Sequence, residues 1–140
     1  MRKLGIDYGD ARVGIAITDA LNITVQGLET IHHQGNDKIV LKRLEELLEQ
    51  YEIDTFVVGM PINMNGTKTE RVEVTEKFIH KCRCRFPKIA IETIDERLTT
   101  VEAHKTMNFL NIDNKKKKNI VDTISAVYIL ETYMKKCENN

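Results

Sequence analysis

Three acidic residues, Asp7, Glu96 and Asp122, are far apart in the chain, yet each borders an apolar or small-residue stretch. Asp7 lies inside the run Leu-Gly-Ile-Asp-Tyr-Gly, Glu96 follows the run that ends at Ile94, and Asp122 opens Asp-Thr-Ile-Ser-Ala. A carboxylate in a half-buried strand is costly unless a metal ion or a hydrogen-bond network satisfies it. Three carboxylates that meet supply hard oxygen ligands for Mg²⁺ or Mn²⁺. Two such ions ~4 Å apart suit phosphodiester hydrolysis, one activating water and the other stabilising the leaving oxygen. That chemistry needs no protein nucleophile, and the sequence shows no Ser-His-Asp or Cys-His grouping. His32, His33, His80 and His104 share no zinc spacing and read as surface or core residues.

Two of these acids, Asp7 and Asp122, also have a plainer explanation. An Asp near a Gly turn is often a turn former. Asn119 and Asp122 resemble a capping pair, and Asp in a first turn favours the helix dipole. Asp95 points away from Glu96 if the strand continues, which suits a hydrogen-bond acceptor for Arg97. Arg12, Lys68 and Arg97 are candidate phosphate contacts, with an ordinary surface or ion-pair role as the alternative.

The elements that must position these groups are legible in the spacing. Lys3–Tyr8 and Arg12–Thr18 are short apolar runs joined by Gly9-Asp10-Ala11, an antiparallel hairpin pattern. Ile23–His33 reads as a third strand after a turn at Asn22. Asn36 caps a helix in which Val40, Leu44, Leu47, Leu48 and Tyr51 recur at helical spacing. Thr55–Gly59 is a continuous apolar run, as in a strand covered on both faces. The polar loop Met64–Thr69 follows it. A second helix over about Glu70–Arg85 turns Val72, Phe78, Ile79 and Cys82 inward and stops at Pro87. Lys88–Ile94 is the fifth strand. Thr99 with Glu102 forms a capping box for a helix to about Leu110. A last helix spans roughly Lys116 to Lys135. In it Ile120, Ile124, Val127 and Tyr128 form an apolar stripe, beside a face of Asp122, Ser125, Ala126 and Ile129. Small residues next to an acid let a helix lie close against a sheet.

Strands alternating with helices imply parallel pairings and right-handed crossovers, while the first three strands meander antiparallel. The expected fold is α/β, a mixed five-stranded sheet with helices on both faces. In such sheets ligands sit at the carboxyl ends of the parallel strands, where Asp7, Gly59-Met60-Pro61 and Asp95-Glu96 all fall. Residues 1–140 suit one domain.

Composition sets the outer limits. With 41% hydrophobic and 30% charged residues the chain is an ordinary globular one, not disordered or fibrous. No apolar run approaches the ~20 residues that cross a bilayer, and no signal-peptide pattern opens the sequence. No membrane association and a cytoplasmic location are therefore expected. The three cysteines include Cys82-x-Cys84, a spacing suited neither to zinc nor to redox chemistry, and Cys82 reads as core. The net charge is zero, which excludes a uniformly basic nucleic-acid binder. Local clusters remain, at Lys115–Lys118 and among Arg71, Lys77, Lys81, Arg83 and Arg85; a neutral total can hide a basic patch around an acidic site.

The segments Gly5-Ile-Asp-Tyr-Gly9, Arg12-Val-Gly-Ile-Ala16, Val58-Gly-Met-Pro61, Asp95-Glu-Arg-Leu-Thr-Thr100 and Asp122-Thr-Ile-Ser-Ala126 together resemble the motifs of the YqgF family. That family comprises bacterial proteins similar to Holliday-junction resolvases, with an RNase H-like fold. The resemblance covers nearly the whole chain; Asp-Glu-Arg-Leu-Thr-Thr is its most specific part. It implies a metal-dependent nuclease that matures the 5′ end of precursor 16S ribosomal RNA in the cytoplasm. Asp7, Glu96 and Asp122 would then be the metal-binding catalytic acids. Precursor rRNA, branched DNA and ribosomal particles are the expected partners, for a monomer or a dimer. Two other functions compete: an ATP-using enzyme of the actin and sugar-kinase fold, and a non-catalytic RNA- or ribosome-binding module.

Overall fold

The computed structural model describes residues 1–61, 70–95 and 114–138, with side chains from residue 123 onward in the last segment. Its elements are β1 (Arg2–Tyr8), β2 (Arg12–Thr18), β3 (Val25–His32), α1 (Asp37–Gln50), β4 (Ile53–Met60), α2 (Glu70–Arg85), β5 (Ala90–Asp95) and α3 (Asn114–Glu138). The loop expected at Met64–Thr69 and the helix expected from Thr99 to Leu110 lie outside the described residues.

The five strands form one sheet in the order β3-β2-β1-β4-β5. β1 pairs antiparallel with β2 and parallel with β4; β2 pairs antiparallel with β3, and β4 parallel with β5. This is the expected mixed sheet. Its central strand is the one that carries Asp7.

Alternation along the strands separates two faces. Leu4, Ile6, Tyr8, Val13, Ile15 and Ile17 point to one side, where Val40, Leu44 and Leu47 of α1 and Phe78, Ile79 and Cys82 of α2 close the main core. Gly5, Asp7, Gly14 and Ala16 alternate to the other side, which α3 covers with Ala126, Ile129 and Leu130. Each fully buried large side chain in the main core contributes about 1.5–3 kcal/mol of transfer free energy.

α1 begins as the sequence suggests. The Asn36 side chain accepts a hydrogen bond from the Lys38 amide at 3.1 Å, which satisfies one of the helix's unpaired donors. The third strand starts later than expected, at Val25. The Asp19 carboxylate accepts from the Ile23 and Thr24 amides at 2.7 and 3.0 Å, so those residues belong to the turn. Ile23 is consequently exposed.

In α3 the face of Ser125, Ala126 and Ile129, with Leu130, is buried, as the small residues beside Asp122 suggest, whereas Ile124, Val127 and Tyr128 of the neighbouring apolar stripe are half-buried. Backbone proximity is the cause. Gly5, Ala16 and Gly27 stand in one register row across β1, β2 and β3. A Cβ on Gly5 would lie 2.7 Å from the Ala126 carbonyl oxygen and 3.0 Å from Leu130 Cβ. Only the small-residue face of α3 fits against that row.

Candidate active site

The carboxyl ends of the three parallel strands meet at one edge of the α3-covered face. On β1 and β4, Ile6 is level with Val58, which is level with Thr93 on β5; Met60 and Asp95 close the last row. Asp7 is half-buried one residue beyond Ile6, in a register row with Gly14 of β2 and Thr30 of β3. Gly14, the register partner of Asp7 on β2, contributes no side chain of its own to that row.

α3 is brought to this row from above. Thr123 Oγ1 lies 3.2 Å from Thr30 Oγ1, so the helix reaches the Asp7 row at Thr123. Asp122 is the preceding residue and stands one helical turn before Ala126, which is seated over Gly5. The backbone of α3 thus comes close to the row of β1 that holds Asp7.

Arg12 opens β2 on the same face as Gly14 and Ala16. It is a diagonal neighbour of Asp7 across the hairpin, a separation of about 7–8 Å between backbones that a guanidinium easily spans. Its register partner on β3 is His32, which is exposed. Asp95 ends β5 half-buried, and Asp10 is exposed in the turn. Glu96, Arg97 and Lys68 lie outside the described residues, as do the side chains of Asp122 and Lys115–Lys118. Among the described residues no three His, Cys, Asp or Glu side chains form a cluster. Of the three candidate acids only Asp7 has a described side chain, and a carboxylate oxygen of this kind is a hard donor that suits Mg²⁺ or Mn²⁺.

Behind Asp7, on the opposite face, lies a network with no local signature in the sequence. The Tyr8 ring stacks between Phe78, 4.4 Å away, and His33, 5.5 Å away. Its hydroxyl donates to the Asp37 carboxylate, whose other oxygen accepts from Lys81 Nζ at 2.9 Å. Burial first, and then the Asp37 carboxylate, hold the Tyr8 phenol well above its ordinary range, so it stays a donor. His33 is buried and bonded at both ring nitrogens. Of the other histidines, His32 and His80 are exposed, while His104 lies outside the described residues. Cys82 is core, as expected, with its thiol pushed up to about 12 by burial; Cys84 and Cys137 are exposed.

An acid at the end of the central strand of such a sheet, with a helix drawn over small residues beside it, defines the RNase H-like architecture of the resolvases. The chain belongs to the RuvX family, described as Holliday junction resolvase, whose model matches residues 1–136. A relative from Ruminiclostridium cellulolyticum is 51% identical over 140 residues, covering 100% of this chain and 98% of the relative. One from Acetivibrio thermocellus is 50% identical over 134 residues, covering 96% and 95%. Both bear the name "Putative pre-16S rRNA nuclease". Among solved structures, Thermus thermophilus RuvC in complex with a Holliday junction substrate aligns with a TM-score of 0.60 at 11% identity, over 98% of this chain and 96% of that one. The fowlpox virus Holliday junction resolvase aligns with a TM-score of 0.59 at 12% identity, over 98% and 99%. At these identities the likeness is one of fold.

Proposed function

We propose that this chain is a single-domain, divalent-metal-dependent nuclease that hydrolyses phosphodiester bonds in the 5′ leader of precursor 16S rRNA, in the cytoplasm. The observation that carries this is the row Asp7–Gly14–Thr30, reached by α3 at Thr123 beside Asp122. Full-length relatives with a pre-16S rRNA nuclease name support the choice of substrate.

In this proposal Asp7, Glu96 and Asp122 hold Mg²⁺ or Mn²⁺, which when bound supplies an activated water and charge stabilisation at the leaving oxygen. Asp7 contributes from a strand that the sheet holds rigid on both sides, so its carboxylate needs little reorganisation. Arg12, Lys68 and Arg97 neutralise the flanking phosphates and fix the backbone's position. Asp95 supports these groups by hydrogen bonding rather than by ligation.

A second reading, cleavage of branched DNA, is favoured by the family's description as a Holliday junction resolvase. The test is purified protein with Mg²⁺ or Mn²⁺ on precursor 16S rRNA and on a four-way DNA junction side by side, with Asp122→Asn as the control. Metal-dependent cleavage of the RNA, lost in Asp122→Asn, is the expected result. Cleavage of the junction alone would transfer the proposal to DNA. Full activity of the folded Asp122→Asn variant would defeat the metal mechanism.

A further inference from the structure

The turn Gly9-Asp10-Ala11 joins the strand that carries Asp7 to the strand that carries Arg12, and it is held from outside the hairpin. Ala11 O accepts the His33 amide at 2.9 Å and the Gln34 amide at 3.3 Å. Gly9 O accepts from the His33 ring, 2.7 Å from Nε2. Within the turn the Gly9 amide donates to Arg12 O at 2.9 Å, and a Cβ on Gly9 would sit 2.7 Å from that same oxygen. The turn is therefore tight, and its carbonyls are tied to the junction between β3 and α1.

The tautomer of His33 follows from its second contact. The Gly35 amide donates to His33 Nδ1 at 3.1 Å, so Nδ1 is an acceptor and the proton resides on Nε2, facing Gly9 O. Gly35 reaches this position with a φ of 85°, a left-handed conformation that glycine adopts without strain. The ring is buried and stacked on Tyr8, the residue after Asp7, so it has one orientation available.

We propose that His33 is a positioning residue for the nuclease site: its Nε2–H holds the Gly9 carbonyl, and so fixes the hairpin end that presents Asp7 and Arg12. The inference rests on the metal-dependent reading of Asp7. Groups bonded directly to metal ligands change metal affinity or activity by about 10–100-fold; His33 acts one step further out, through the Gly9 backbone, so the low end of that range is expected.

Two amide substitutions divide the roles of the ring. In His33→Gln the side-chain amide reaches the Nε2 position and can still donate to Gly9 O. In His33→Asn it reaches only the Nδ1 position and retains the Gly35 contact. The experiment measures Mg²⁺ affinity by calorimetry and Mg²⁺-dependent RNA cleavage for wild type, both variants and Asp7→Asn, with melting curves for each. The expected result for His33→Asn is a loss of about 10-fold in Mg²⁺ affinity and in cleavage. His33→Gln should stay within about twofold of wild type in both, at whatever melting temperature it has.

Wild-type behaviour of a folded His33→Asn variant, while wild type cleaves and Asp7→Asn does not, overturns the proposal for His33 alone. So do equal losses in the two variants. An inactive wild type, or an active Asp7→Asn, overturns the underlying reading instead. If His33→Asn does not fold, wild-type protein decides by NMR. The His33 Hε2 and Gly9 amide resonances should shift with Mg²⁺ at the same midpoint as the Asp7 carboxylate; resonances that stay fixed overturn the proposal.

Discussion

The two faces of the sheet are built from alternate residues of the same strands, and they differ in almost every physical respect. Beneath α1 and α2 the strands present Leu4, Ile6, Tyr8, Val13, Ile15, Ile17, Phe56 and Val58, a bulky apolar layer. Beneath α3 the corresponding positions are Gly5, Asp7, Gly14, Ala16 and Val57. The first face removes much apolar area from water and supplies most of the stability. The second gives up that area for backbone proximity, which brings a helix and its acid to the end of the central strand. Period-2 alternation lets one strand do both, because a substitution on one face barely touches the other.

The largest expected effect falls on the small-residue face. Asp7→Asn keeps shape but removes a charge that balances the cation. Cleavage should fall by about 10⁴-fold or more, the several kcal/mol that metal-assisted hydrolysis supplies. Without divalent metal the melting temperature should be equal or higher, since the carboxylates that the proposal gathers at one edge would repel one another. Melting in EDTA together with single-turnover cleavage checks both halves. A large loss of stability would move Asp7 from the site to the framework.

On the bulky face the pattern should invert. Phe78 is fully buried and stacked on Tyr8, so Phe78→Ala should cost about 3–5 kcal/mol of stability, read by urea denaturation. Well below its melting point, the variant should retain cleavage within a few-fold of wild type.

Gly5→Ala should separate the faces more finely. The added Cβ meets the Ala126 carbonyl oxygen at 2.7 Å, a backbone atom that moves only if α3 moves. Overpacking of this kind costs about 1–3 kcal/mol, less than Phe78→Ala, yet cleavage should fall further because α3 carries Asp122. Gly27 offers the contrast. Its added Cβ would meet Thr123 Cγ2, a side-chain atom that can rotate away, though at the expense of the Thr30 contact.

The contrast between faces also explains what could be read in the sequence. Local periodicity revealed both, because alternation in β1 and β2 and the helical spacing of Val40, Leu44 and Leu47 need no distant information. Small residues beside Asp122 pointed to a close helix, and Ser125, Ala126 and Ile129 are buried while Ile124, Val127 and Tyr128 are half-buried. The support behind the site left no such trace. His33 meets Gly9 across 24 positions, Tyr8 meets Asp37 across 29, and Lys81 meets Asp37 across 44. Those partners are chosen by the fold, and each residue alone reads as an ordinary surface or core group. Likewise the Asp19 carboxylate, by capturing two amides, ended the turn two residues later than the apolar character of Ile23 suggested.

The smallest effect comes from a second aspartate close to the α3 side, at the opposite end of the sheet. Asp54 sits where the register between β1 and β4 slips, and it accepts from Lys3 Nζ at 3.1 Å. Partial burial pushes its carboxyl upward, but the Thr55 hydroxyl and the Lys3 ammonium outweigh that, so the folded value lies below the ordinary 3.8. A carboxyl lowered by folding stabilises the native state above the unfolded value, and the contribution disappears as pH falls through the folded value. The Asp54 side chain is 42% exposed, so the pair is worth about 0.5 kcal/mol after solvent screening. Asp54→Asn should therefore lose that amount near pH 6, lose less in high salt, and approach wild type as pH falls through the lowered folded value. Cleavage should not change. An Asp54→Asn variant more stable than wild type at pH 6 would make Asp54 resemble the expectation for Asp7, and would remove the distinction between a paired structural acid and one held ready for a cation.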